Sequence, residues 1–255
     1  MNILTFEQYI ANPTMQPSNV LNLDMVRKQL DNRYDKLINK HKRIKYDIYK
    51  TDNNEYFIHV KLPSESYDLF YDVVFKINTT DIVNLKDCKF KVFSNSPSFV
   101  FTYAYIFNLY GLFVDELKNK VSKEVLNKEP NMRNYFKIIN YEKSIYYSIL
   151  YVLSHIRTVS ELDKVVRKKT DINKVFDNIK SIDEKIKEYN YRRKKETEER
   201  KLNAAKMLKY KIEKDIEKHT DPQKVVNTHS VTAKRKISGK KKITGKSKVT
   251  GRKKR

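Results

Sequence analysis

Apolar positions near the start of the chain recur at helical spacing. Thr5-Phe6-Glu7-Gln8 fits a capping box, in which the Thr hydroxyl and the Gln side chain satisfy free amides of the first turn, and predicts a short helix over Phe6 to Ala11. Pro13 and Pro17 interrupt it, and Val20, Leu23, Val26, Leu30, Tyr34 and Leu37 then predict an amphipathic helix from Ser18 to about Lys42. The pattern changes at residue 44. Ile44 to Tyr49 and Tyr56 to Leu62 are strand-like, and Thr51-Asp52-Asn53-Asn54 between them has turn chemistry, which predicts a hairpin. Tyr67 to Ile77 and Phe90 to Phe93, rich in Val, Ile, Phe and Tyr, extend the β-region.

Two signals conflict after residue 96. Phe99, Phe101, Tyr103, Tyr105 and Phe107 alternate as in a strand, yet Ser96-Pro97 is an N-cap followed by Pro at the first helical position. Apolar character continues through Leu109, Leu112, Phe113 and Leu117, so the segment is read as a long buried helix from Pro97, with Gly111 marking a bend or a close packing contact. A further helix from about Asn140 to Arg157 would bury Ile145, Ile149, Val152, Leu153 and Ile156, and Thr158-Val159-Ser160-Glu161 is a second capping box that opens the next one.

Val165, Ile172, Ile179 and Ile186 are spaced by seven, with Val175, Ile182 and Tyr189 at the intervening positions, giving about three heptads of coiled-coil pattern. Such a run serves either association with another chain or packing against the chain's own helices. Beyond Tyr189 the register is lost in a charged stretch, Arg192 to Lys201, that remains compatible with helix. Leu202, Ala205, Leu208, Ile212 and Ile216 restart a weaker stripe to about His219, and Asp221-Pro222 closes it. The expected architecture is α+β. An N-terminal helical segment covers 1–43, an α+β core domain with a small antiparallel β-region covers 44–158, a long helical, coiled-coil-like segment covers 159–221, and a disordered basic tail covers 222–255.

Charge sharpens this division. The 255 residues carry a formal +23, and from Pro222 to Arg255 there are 13 Lys or Arg and no Asp or Glu, leaving about +10 for everything before. Three tandem hexads, starting at Lys236, Lys242 and Lys248, repeat Lys, a β-branched residue, a hydroxyl, Gly and a base; three of the protein's four glycines sit in them. With one apolar residue in six, this stretch cannot bury enough surface to offset its ordering entropy and is expected to be disordered alone. Against a phosphate backbone each neutralised phosphate releases a counterion, so Lys234, Arg235, Lys236, Lys240, Lys241, Lys242, Lys246, Lys248, Arg252, Lys253, Lys254 and Arg255 are the candidate nucleic-acid contacts. Ser238, Thr244 and Thr250 add hydroxyl donors, and none of these groups reads base identity. An anionic membrane or protein surface, or a passive solubilising or localising role, fits the same charge density.

Other chemistries find less support. Cys88 is the single cysteine, which excludes an intramolecular disulfide and a Cys-based zinc site within one chain. His41, His59, His155, His219 and His229 show no metal-ligand spacing, and no Gly-rich phosphate loop or nucleophile elbow occurs, so neither metal nor cofactor is expected. The N-terminus lacks the basic and apolar runs of a secretory signal, and Phe99 to Val114 and Ile145 to Ile156 are shorter than the roughly 20 residues of a spanning helix. Neither secretion nor membrane insertion is expected.

The opening Leu4-Thr5-Phe6-Glu7-Gln8-Tyr9-Ile10-Ala11 resembles the short N-terminal targeting helix of internal head proteins of large tailed bacteriophages. The Asn-, Lys-, Ile- and Tyr-rich, Trp-free, Gly-poor composition with an appended basic tail is similar in style. The resemblance implies a non-enzymatic, virion-associated structural protein, assembled on or packaged in a DNA-filled capsid, with a protein partner or self-association through the heptad residues. The competing expectations are a regulatory or replication-associated module whose folded body recognises nucleic acid, and a small enzyme with an unrecognised site.

Overall fold

A computed structural model of the chain describes residues 4–14, 23–40, 44–53, 55–65, 69–129, 137–167 and 172–220. The chain divides into two compact units, Met1–Glu199 and Arg200–Arg255. Helix α1, Phe6–Ala11, starts at the capping box read from the sequence: the Gln8 amide donates to Thr5 Oγ1 at 3.1 Å and the Thr5 amide to Gln8 Oε1 at 2.9 Å. Helix α2 spans Leu23–Lys40 and faces the core with Leu23, Leu30 and Leu37, seven residues apart. Strands β1 (Lys45–Lys50), β2 (Glu55–Pro63), β3 (Phe70–Asn78) and β4 (Phe90–Ser94) form an antiparallel meander in sequence order. Helices α3 (Pro97–Thr102), α4 (Ala104–Leu109), α5 (Lys123–Asn127), α6 (Lys143–His155), α7 (Val159–Val165), α8 (Ile172–Asp177) and α9 (Ile182–Thr220) follow. The α+β class and the hairpin expected from residues 44 to 62 are present.

Register decides which side of the sheet each helix covers. Tyr56, Ile58, Val60 and Leu62 share a face with Ile77, Phe75, Val73 and Tyr71, their partners on β3. Phe6 of α1 seals that face, its ring 5.3 Å from Phe75 and 4.8 Å from Phe90. The opposite face presents Phe57, His59, Val74 and Lys76, and Phe176 of α8 meets Phe57 there at 5.2 Å. The whole run from Tyr56 to Val60 is therefore buried, without the in-out alternation of a one-sided sheet. Cys88 sits in this core as a free thiol, pushed up to about 11 by burial and by the neighbouring Asp87 carboxylate.

Polar groups on the α8 side are sealed by one another. His59 Nε2 lies 2.9 Å from Asp72 Oδ1, and the Asn95 side-chain amide donates to Asp72 Oδ2 at 2.8 Å and to the Lys180 carbonyl at 3.3 Å. Lys185, in the first turn of α9, donates to the Phe70 carbonyl at 2.5 Å and pairs with Glu188 at 3.1 Å. Burial acts to raise Asp72, but the His59 and Asn95 hydrogen bonds and the Lys185 charge outweigh it and hold the carboxyl below its ordinary value. These bonds tie the start of α9 to the ends of β3 and β4.

Two expectations change, and a third falls partly outside the described residues. The long helix from Pro97 is broken: Ser96 caps it as read, but α3 and α4 are separated at Tyr103, Gly111 turns the chain at φ 72°, and Asp115–Lys120 is a 3-10 helix. The break lets Phe99, Phe107 and Phe113 converge on the core, with Phe99 5.6 Å from Phe107 and 6.0 Å from Phe113. Second, the seven-residue run from Val165 to Tyr189 is not one continuous helix. It is divided among α7, α8, the turn holding Ile179 and α9, with Val165 46% exposed and Ile179 and Ile182 inside the chain's own core; Ile172, Val175 and Ile186 pack against that core. Third, the helix read from Ser18 is described only from Leu23, since residues 15–22 lie outside the described residues.

Ile182→Ala is expected to lower stability in urea unfolding by about 3 kcal/mol, the cost of a buried cavity, rather than to weaken a contact between chains. Asp72→Ala leaves the buried His59 ring and Asn95 carboxamide without their shared acceptor and is expected to cost about 2 kcal/mol at neutral pH. Because the folded carboxyl lies below its ordinary value, its contribution is complete above the ordinary carboxylate range and is lost as pH falls through the depressed value, so the variant's stability varies less across that acid limb.

Candidate nucleic-acid interface

The cationic residues singled out from the sequence, Lys234 to Arg255, lie outside the described residues. What the structure does place is the helix that precedes them in sequence. In the unit that begins at Arg200, every described side chain from Arg200 to Glu217 is exposed. Six of these are bases, Arg200, Lys201, Lys206, Lys209, Lys211 and Lys214, against three acids, Glu213, Asp215 and Glu217. Helical periodicity puts Arg200, Lys211 and Lys214 on one side and Leu202, Ala205, Leu208, Ile212 and Ile216 on the other. Leu202, Leu208, Ile212 and Ile216 are each more than half exposed. On the basic side Lys214 Nζ stands 5.0 Å from the Tyr210 ring centroid; Lys209 lies among the apolar positions instead and makes only a long pair with Glu213, at 3.8 Å.

Within the first unit, a cavity of about 450 Å³ opens where α3, α6, the end of β2 and the beginning of α9 meet. Ile186, Tyr189, Asn190 and Arg193 line it from α9, at steps of three and four that place them on one helix face. Two of these, Ile186 and Tyr189, were heptad positions in the sequence. Phe101, 52% exposed, stands with Ser98 on the α3 side. Lys143, Ser144 and Tyr147 contribute from α6. The sequence signal for this wall was present in the helical spacing of residues 186 to 193, but nothing in the pattern distinguished a pocket face from a packing face.

Glu142 lies at the base of the cavity, 1% exposed, as the N-cap of α6. Its Oε2 accepts from the Ile145 amide at 2.9 Å and from Ser144 Oγ at 2.5 Å, and its Oε1 accepts from Ser96 Oγ at 3.3 Å. The Glu142 amide donates to Tyr9 Oη at 2.8 Å, which brings α1 to the same point. Burial raises the carboxyl above its ordinary value in spite of these donors. Glu65, nearer the rim, behaves oppositely: burial acts to raise it, but Lys143 at 3.2 Å and Arg33 at 2.5 Å outweigh that and hold it below the ordinary value.

Most polar groups of the cavity are thus engaged. Ser98, Asn190 and Arg193 differ: among the described residues none of their side chains has a hydrogen-bond or ion-pair partner. Among the described residues no group of three or more His, Cys, Asp or Glu is placed to hold a metal ion, and no helix is long and apolar enough to cross a membrane. Comparison of the chain with protein-family models, with curated proteins and with solved structures finds no match.

The raised Glu142 carboxyl binds its proton more tightly in the folded chain, so its contribution to stability declines as pH rises from the ordinary carboxylate range through the raised value. Glu142→Gln keeps an acceptor for the helix cap and is expected to remove that decline, whereas Glu142→Ala orphans the Ile145 amide and is expected to cost about 2 kcal/mol. Urea unfolding of both variants across pH checks the pair.

Proposed function

We propose that this protein is a non-enzymatic, virion-associated structural protein that binds nucleic acid without sequence specificity through its C-terminal region. The observation that carries the reading is the exposed, base-rich helix from Arg200 to Glu217, followed in sequence by 13 cations and no acid from Pro222 to Arg255. Exposed Lys and Arg on a helix side meet phosphates at low desolvation cost, and the gain comes from released counterions rather than from base edges. The exposed apolar side, Leu202 to Ile216, suits contact with a structural protein partner or a second copy, since a stripe of that kind is costly to leave in water. The virion setting rests on the resemblance of Leu4 to Ala11 to an internal-head-protein targeting helix.

A second reading, in which the folded body itself engages nucleic acid, is favoured by the three unpaired polar side chains of the cavity.

Duplex binding is expected to weaken by about a thousandfold between 50 and 200 mM salt, the loss associated with roughly six phosphate contacts. Deleting residues 222–255 is expected to remove most of the low-salt affinity in an anisotropy titration, and defined and random duplexes are expected to compete equally. Affinity unchanged by the deletion, or a marked preference for one sequence, would overturn the proposal.

A further inference from the structure

We infer that the cavity between α3, α6 and the first turns of α9 is a binding site for a nucleoside monophosphate. The inference takes its ligand class from the nucleic-acid reading above, but its residues are separate from the cationic C-terminal region. Its volume of about 450 Å³ lies within the range of small-ligand pockets, roughly 300–1,000 Å³. Its chemistry is divided in the way such a ligand is divided.

One part is aromatic. Phe101 is 52% exposed against the cavity, although Phe99 and Phe107 of the same alternating run are fully buried. Tyr189 lines the α9 wall, so planar side chains come from two separate elements. An exposed ring at the mouth of a polar cavity offers a stacking surface to a base, which every base can use because each has a π-face.

The other part is polar and unpaired. Arg193 presents a guanidinium without a carboxylate partner among the described residues, in a cavity whose other cation, Lys143, is held by Glu65. A planar guanidinium matches two oxygens of a phosphate, and the Ser98 hydroxyl can donate to a third. Asn190, three residues before Arg193 on the same helix face, has a free carboxamide that can both donate to and accept from a base edge. The two carboxylates do not oppose an anion strongly: Glu65 is neutralised by Arg33 and Lys143, and Glu142 is enclosed by hydroxyl and amide donors.

The phosphate-bearing nucleoside can be a free nucleotide or the 5′ end of a single strand. Calorimetric titration of the full chain at about 0.2 M salt, where exposed phosphate contacts are weakened, separates them. The arms are adenosine monophosphate, adenosine, inorganic phosphate, and a short oligodeoxyadenylate with and without a 5′-phosphate. Saturable binding of adenosine monophosphate, tighter than that of adenosine or phosphate, is expected, and Phe101→Ala and Arg193→Ala are each expected to weaken it about tenfold. Tighter binding of the 5′-phosphorylated strand than of the unphosphorylated one assigns the site to strand ends; binding of the free nucleotide alone assigns it to a small molecule.

Both substitutions are at exposed positions, and an unchanged urea midpoint verifies that the variants fold. Phe101→Ala carries no charge, so low-salt duplex affinity is expected to be unchanged in it. A chain that binds duplex but no phosphorylated nucleoside at millimolar concentration overturns the pocket assignment alone. A chain that binds adenosine monophosphate but loses no duplex affinity on deletion of 222–255 overturns the C-terminal reading alone. Binding of adenosine monophosphate that neither substitution weakens also overturns the pocket assignment.

Discussion

The attachment of the first turns of α9 to the sheet is the interaction on which the rest of the first unit depends. Asp72 accepts from Asn95 and meets His59, Asn95 reaches on to the Lys180 carbonyl, and Lys185 donates to the Phe70 carbonyl. Each partner removes a penalty that would fall on another, because an unpaired polar group in such a place costs more than the bond it makes is worth. Ile179 and Ile182 supply the apolar surface beside these bonds. One turn later the same helix presents Ile186, Tyr189, Asn190 and Arg193 to the cavity, so the wall of the pocket is positioned by the seal that precedes it.

A matching arrangement holds the opposite wall. Glu142 caps α6, receives Ser144 and Ser96, and through its amide meets the Tyr9 hydroxyl of α1. The half-buried Asp72 and the buried Glu142 therefore face opposite electrostatic outcomes. Asp72 is stabilised as an anion by His59 and by Lys185, whereas for Glu142 the hydroxyls, the amide and the charge of the part-exposed Lys143 do not offset burial, and desolvation prevails. Both serve to fix helix ends with respect to the sheet, which gives the cavity defined walls.

Local chemistry was well written in the sequence and tertiary use was not. Thr5 with Gln8, Thr158 with Glu161, and Ser96 before Pro97 are caps whose partners lie within four residues, and all three start helices where expected. The hairpin turn and the α+β class were legible for the same reason. The seven-residue spacing from Val165 to Ile186 was equally visible, but spacing reports that a face is apolar and not what it faces. Here the core of the chain itself claims Ile179 and Ile182, and the breaks between α7, α8 and α9 redirect the rest. Phe101 was hidden in the alternation Phe99 to Phe107, because a strand puts it on the same face as Phe99 whereas in α3 the two rings point about 200° apart. Ser98, Asn190 and Arg193 belong to no motif; they are brought to one cavity from elements some ninety residues apart.

Cys88 bears on how the molecule can be handled. Its sulfur is enclosed in the core and its ionisation is displaced towards alkaline pH, so the reactive thiolate form is scarce and shielded. A cysteine introduced at a surface position would then be the sole readily alkylated thiol on the chain, and a thiol-directed fluorophore or spin label could be placed there without first removing the native residue.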